Sequence, residues 1–211
     1  MYLPPQFASK DVAHARDLIR AYPFASLISV ADDGLPFVTS LPLHWIEEGN
    51  DLLLLGHCAK ANAHWRYLQT RPQAVVTFMG PQAYMSPRVY PDLARVPTWN
   101  YLSVHCVVQA RLIHSFADQD RLLKHLIHDH DPAYAPQWLG LGEDFQHKMM
   151  GGIQAFELTV TQLQCKLKLN QHRPESHAAM HAAYAGGNDN ERALAEWMVR
   201  LGLTGDVKGA S

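Results

Sequence analysis

The sequence is short of cysteine, of clustered positive charge and of long apolar runs. Its three cysteines, Cys58, Cys106 and Cys165, are scattered and include no C-x-x-C pair. A small, odd, dispersed set argues against a disulfide framework or a zinc ribbon. It favours reduced thiols and a cytoplasmic setting. Lys and Arg number 18 against 20 Asp and Glu, a formal net charge of −2, with no basic tail. Non-specific nucleic-acid binding draws on a basic patch, so this chain by itself does not advertise it. Met1-Tyr2-Leu3-Pro4-Pro5 carries neither the basic nor the apolar part of a secretion signal. No apolar run is long enough to span a bilayer, and no membrane association is expected. Also missing are G-x-G-x-x-G, a Walker lysine and a G-x-S-x-G elbow, which removes Rossmann, P-loop and α/β-hydrolase readings. His125, His128 and His130 have a helical spacing but no partner pair at zinc-site distance, so they read as a polar helix end and no metal is expected.

What is present is an ordinary globular composition, 47% hydrophobic and 18% charged over 211 residues. An extended arm covers Tyr2 to Phe7. A helix follows from Ser9 or Asp11 to Ala21, ended by Pro23. Phe24 to Val30 reads as a strand apolar on both faces, and Asp32-Asp33-Gly34 as a hairpin turn into Leu35 to Leu41. Leu43 to Glu47 and Leu52 to Leu55 form a second hairpin across Glu48-Gly49-Asn50-Asp51. Strands are then expected at Gln73 to Met79, Trp99 to Ile113 and Ile153 to Thr161. Between the first two lies a Pro-rich loop, Gly80 to Thr98. Ser115 and Asp118 open a helix in capping-box fashion that runs to His128. Pro132 to Gly142 reads as irregular and Phe145 to Met150 as a short helix. Cys165 to Pro174 reads as basic and irregular, and Ser176 to Leu201 as helix broken at Gly186-Gly187. Asp206 to Ser211 reads as disordered. Successive hairpins of this kind suggest a closed barrel over an open sheet.

The stretch from Gly56 to Trp65 is the most informative. A buried strand passes through a Gly56-His57 turn into a helix whose first turn carries Lys60 and no carboxylate. A helix start prefers negative charge by a few tenths to about 1 kcal/mol. A bound anion between Lys60, Asn62 and backbone N–H groups would remove the conflict; the alternative is a plain surface lysine. Three further segments stand out. Thr39-Ser40-Leu41 precedes Pro42 and could give backbone hydrogen bonds to a flat ligand. Trp99-Asn100-Tyr101 is an aromatic-amide cluster that stacks on a ring or closes a barrel end. Lys166 to Pro174 gathers Lys168, Gln171 and Arg173 into a compact basic stretch, either a ligand contact or a solvated strand.

In this order the segments resemble the PaiB-type FMN-binding negative transcriptional regulators. The likeness runs from Met1-Tyr2-x-Pro4 through Pro23-Phe24-Ala25-Ser26-Leu27, Leu41-Pro42-Leu43 and Gly56-His57-x-Ala59-Lys60-Ala61-Asn62 to Gly80-Pro81-Gln82-Ala83-Tyr84-Met85-Ser86-Pro87. It closes with Val96-Pro97-Thr98-Trp99-Asn100-Tyr101 and Lys166-x-Lys168-Leu169-x-Gln171-x-Arg173. The family commonly has arginine where this chain has Lys60, and Ser-Gln-Asn-Arg where this chain has Asn170-Gln171-His172-Arg173. The resemblance implies an α+β, mainly β, split barrel of the pyridoxamine-phosphate-oxidase-like group, with flanking helices and a helical C-terminal segment. It implies residues 1–163 as the FMN-binding domain and 164–211 packed on the barrel or dimer seam. It further implies a homodimer with FMN at the interface. The phosphate is expected at Gly56, His57, Lys60 and Asn62, and the ring beside Thr39, Ser40 and Leu41. Trp99, Asn100, Tyr101, Lys168, Gln171 and Arg173 complete the expected cofactor set. A DNA or regulatory partner is implied by the family alone. The alternative is a flavin-dependent oxidoreductase acting on a small substrate, for which His57, His105 and Tyr101 are acid–base candidates by position only. A haem-binding split barrel is a third reading.

Overall fold

The computed structural model describes residues 1–49, 51–92 and 94–204. Asn50 in the second hairpin turn and the expected disorder of 206–211 lie outside the described residues. The chain forms two compact units. The first comprises Met1–Leu18, Met79–Val104 and Gln164–Ser211, the second Ile19–Phe78 and His105–Leu163.

In the second unit, β2 (Phe24–Val30) turns back into β3 (Pro36–Pro42), and β4 (His44–Glu48) into β5 (Asp51–Ala59). The first turn is local chemistry. Gly34 takes φ +84°, and the Asp33 carboxylate accepts the Leu35 N–H at 3.0 Å. The N-terminal part of β6 (Gln73–Met85) pairs with β2, as at Leu27↔Val76. The C-terminal part of β7 (Thr98–Ile113) and the N-terminal part of β8 (Ile153–Lys168) continue the sheet, in the order β3-β2-β6-β7-β8-β5-β4. On this sheet α3 (Phe116–His130) packs Leu122 and Leu126 against Leu55, Ile113 and Ala155. Ser115 caps α3, its hydroxyl accepting the Asp118 N–H. The short helices α4 (Ala135–Gly140) and α5 (Glu143–Gly151) follow.

In the first unit, β1 (Ala8–Ser9) pairs with the end of β8 at Ala8↔Lys166 and Ser9↔Cys165. Helix α1 (Val12–Ala21) begins here. Helices α6 (His177–Ala185) and α7 (Asp189–Arg200) close the chain, α7 opening on a full capping box between Asn188 and Glu191. Met85, Leu102, Met180, Tyr184 and Met198 form much of its interior.

The structure corrects several sequence expectations. Strand β2 is buried on one face only, because its residues alternate in and out. Gly56 and His57 are strand residues paired with Phe156 and Ala155, so there is no Gly-His turn. The following helix, α2 (His64–Thr70), starts at His64, well after Lys60. The loop from Gly80 is shorter than expected, since β6 carries on to Met85. Pro132 to Gly142 is largely helical, and Cys165 to Lys168 is regular strand. The arm before Phe7 ends in a 3-10 turn at Pro5–Phe7.

Candidate functional site

The expected site residues fall into two groups, one in each unit. In the second unit the chain leaves β5 at Ala59, makes a tight turn and enters α2. The turn is pinned from inside. His64 is 0% exposed, with Nδ1 2.8 Å from Thr39 Oγ1 and Nε2 2.9 Å from Ser29 Oγ. Thr39 Oγ1 also accepts from Asn62 Nδ2 at 3.1 Å, while Asn62 Oδ1 accepts the His64 N–H at 2.9 Å. Burial pushes His64 down to about 4, so the ring is neutral and each nitrogen meets one hydroxyl. Neither Ser29 nor His64 belongs to the set expected from the sequence. The signal was there only as a helix-face histidine, and its partners lie 25 and 35 residues away.

Around this network sit the predicted residues. Lys60 is exposed and makes no ion pair among the described residues. Its N–H donates to Gly152 O, and the Asn62 N–H to Ala59 O. Those two donors are therefore used, and the expected help from a helix start is absent. What remains for an anion is the Lys60 ammonium and the second N–H of the Asn62 amide. That donor set suits a phosphate. Ser40 is exposed, and Leu41 is buried. Gly56 serves packing: a Cβ there would stand 2.4 Å from Leu43 Cδ2 and 3.3 Å from Leu41 Cδ1. His57 is half-buried, and burial, with His44 nearby, holds it below the ordinary histidine range.

In the first unit Lys168 reaches back to the start of β7. Its ammonium donates to Thr98 Oγ1 at 2.6 Å and to the Trp99 carbonyl. Lys166, which is not in the expected cofactor set, is 6% exposed and donates to the Tyr101 hydroxyl at 2.6 Å. Trp99 is exposed and meets Tyr84 edge-on, whereas Asn100 is 0% exposed. The Asn100 amide points to Tyr184 OH at 3.0 Å and to the sulfurs of Met85 and Met180. Gln171 closes the end of β8, accepting the Leu169 N–H and donating to the Leu167 carbonyl. Arg173 lies 4.0 Å from Glu175. Asn170, immediately before Gln171, has φ 61°, the left-handed region that asparagine tolerates.

Residues 1–162 match the family model described as "Putative FMN-binding domain". The chain is 28% identical over 184 residues to the protease synthase and sporulation protein PAI 2 of Bacillus subtilis (strain 168), spanning 83% of this chain and 84% of that protein. Among solved structures, the flavocytochrome Anf3 of Azotobacter vinelandii aligns with a TM-score of 0.63 at 19% identity, over 78% of this chain and 70% of that one. The FAD and heme binding protein of Mycobacterium smegmatis gives a TM-score of 0.63 at 18% identity, over 86% and 80%. At these identities the structural likeness establishes the fold alone, a mixed α+β split barrel with a large antiparallel sheet and C-terminal helices. The chain belongs to the PaiB-like family that carries this FMN-binding domain.

Proposed function

We propose that the protein binds FMN as a homodimer and acts in regulation, as the family resemblance suggests. The observation that carries the flavin reading is the pinned turn after β5. It presents Lys60, a cation without a carboxylate partner among the described residues, beside a spare amide N–H of Asn62. This turn lies within the residues that match the FMN-binding family model. Thr39, Ser40 and Leu41 stand on the neighbouring strand, where backbone groups meet the ring. Trp99, Asn100, Tyr101, Lys168, Gln171 and Arg173 form a second set, proposed from the resemblance and tested separately. The apolar hairpin β2–β3 supports the homodimer, with Phe24, Val30, Leu35 and Val38 all more than half exposed.

The experiment is a titration of the protein with FMN and with riboflavin, which lacks the phosphate. Lys60→Ala should weaken FMN about 10- to 150-fold, the worth of a charge-assisted hydrogen bond, and leave riboflavin nearly unchanged. Equal losses for both flavins would move the phosphate away from Lys60. Lys168→Met in the same assay tests the second set. The spectrum of the bound flavin with reduced nicotinamide and oxygen separates a regulator from an oxidoreductase: rapid bleaching and return would favour the enzyme.

A further inference from the structure

In the second unit, helix α3 is fixed to the sheet along its middle and held lightly at its end. Leu122 and Leu126 are buried against Leu55, Ile113 and Ala155. Beyond them Ile127 is half-buried, and His128, Asp129 and His130 are exposed. Among the described residues, the hydrogen bond that ties this last turn to the sheet comes from His44 of β4, Nδ1 donating to Asp129 Oδ2 at 3.0 Å. The His130 ring adds an edge-on contact, its centre 4.7 Å from that of His44. Beside this contact a cleft of about 460 Å³, lined also by Arg20, Pro23 and Ile46, leaves the turn room to move.

His44 is 4% exposed, and its Nε2 is buried with no hydrogen-bond partner among the described residues. The Asp129 carboxylate takes the Nδ1 proton, so in the neutral ring Nε2 carries the lone pair. A second proton would bury a charged N–H without an acceptor, a larger cost than an idle lone pair. The groups around the ring oppose that charge as well. They are His125 and His130 of α3, His57 of β5 and the exposed Arg20 at the end of α1. Asp129 favours it, but its side chain is 44% exposed and its charge is screened by water. Burial, which outweighs the Asp129 hydrogen bond, holds His44 below the ordinary histidine value of 6.5. The neutral ring is therefore the closed form. Its hold on the turn is full above 6.5 and is lost as pH falls toward the lowered value.

We propose that the contact between β4 and the last turn of α3 is an acid-released latch. His44 holds the turn while its ring is neutral and lets it go on taking a proton. The opening carries Asp129 and His130 away from the cleft that they line. The latch does not depend on bound flavin.

The test is hydrogen exchange read by mass spectrometry, on the full chain without added flavin, at about pH 7.5 and about pH 5.5. Each rate is divided by that of the unstructured peptide at the same pH. One proton taken up on opening raises the open fraction by at most about tenfold per pH unit. Protection of the last turn of α3 should fall by about three- to tenfold across this interval. It should be lower than that of β2 at both pH values, which marks a local opening. His44→Phe keeps a flat ring of similar size that does not titrate, and should remove the fall. His130→Ala, at an exposed position, should reduce it, because a proton on His44 then meets one cation fewer. Unchanged protection in the wild type, or equal protection of the last turn and β2, overturns the proposal. So does an equal fall in wild type and His44→Phe or, where that variant does not fold, in wild type and His130→Ala.

Discussion

The ammonium of Lys166 lies 2.6 Å from the hydroxyl oxygen of Tyr101 and 4.9 Å from the centre of its ring. Lys168 stands 5.8 Å from the same ring. Among the described residues neither lysine has a carboxylate partner, whereas Arg71 has Asp32 and Arg111 has Glu157. Two like charges therefore share one aromatic side chain, and their hydrogen bonds go to neutral oxygens.

One consequence is alkaline. Burial, reinforced by Lys166, holds Lys168 below the ordinary lysine value of 10.5. The folded chain thus binds fewer protons than the unfolded one between the lowered value and 10.5. Stability from this residue rises with pH through that window. Urea midpoints measured across it should climb in the wild type relative to Lys168→Met. Parallel curves would show that Lys168 titrates normally.

His64 sets an acidic limit. Its folded value is about 4 against 6.5. The neutral ring is the folded form, so its stabilisation is full above 6.5 and is lost as pH falls toward 4. The loss is on the order of 3 kcal/mol. Denaturation midpoints at both ends of this window should converge in His64→Asn, which lacks the titration. An equal fall in wild type and variant would place the acid sensitivity elsewhere.

Gly56→Ala should destabilise by about 1 to 3 kcal/mol through overpacking against Leu43. The added methyl would lie 2.4 Å from Leu43 Cδ2, and Leu43 is 0% exposed. Pairing it with Leu43→Ala should recover part of the cost of the glycine change, a coupling that a double-mutant cycle measures. Strictly additive effects would mean that the backbone, not Leu43, yields.

The proposed dimer has its own prediction. Val38 lies on β3, the edge strand of its sheet, opposite Ile28 and 54% exposed. Charges on exposed edges disfavour association. Val38→Glu should shift light scattering from twice the chain mass toward the single chain, with the melting temperature of the monomer little changed. A wild type that is already monomeric with flavin bound would refute an interfacial site.

Elements with local causes were legible in the sequence. The Asp32–Gly34 turn, the Ser115 cap and the break before α7 depend on side chains within a few residues. What could not be read depends on distant neighbours. Gly56 and Gly80 look like turn punctuation, yet both sit in strands. A Cβ at Gly80 would meet Leu18 Cδ2 at 2.9 Å and the Leu102 carbonyl at 3.2 Å. The segment after Cys165 reads as irregular because its lysines interrupt the apolar pattern, yet Cys165, Lys166, Leu167 and Leu169 are all buried. The ordered motif set made Lys60 and Asn62 visible as candidates. It could not reveal that Asn62 serves Thr39, or that His44 meets a carboxylate 85 residues away.

The three buried cysteines give the molecule a built-in chemical clock. Cys165 belongs to the first unit, Cys58 and Cys106 to the second, and none forms a disulfide. Burial pushes the Cys165 thiol up to about 12 and raises Cys58 as well, so neither reacts readily while its surroundings stay closed. Alkylation with a bulky reagent, followed by mass spectrometry of the labelled peptides, would time the opening of each unit separately. Adding FMN to the same reaction would test whether flavin slows the labelling of either unit.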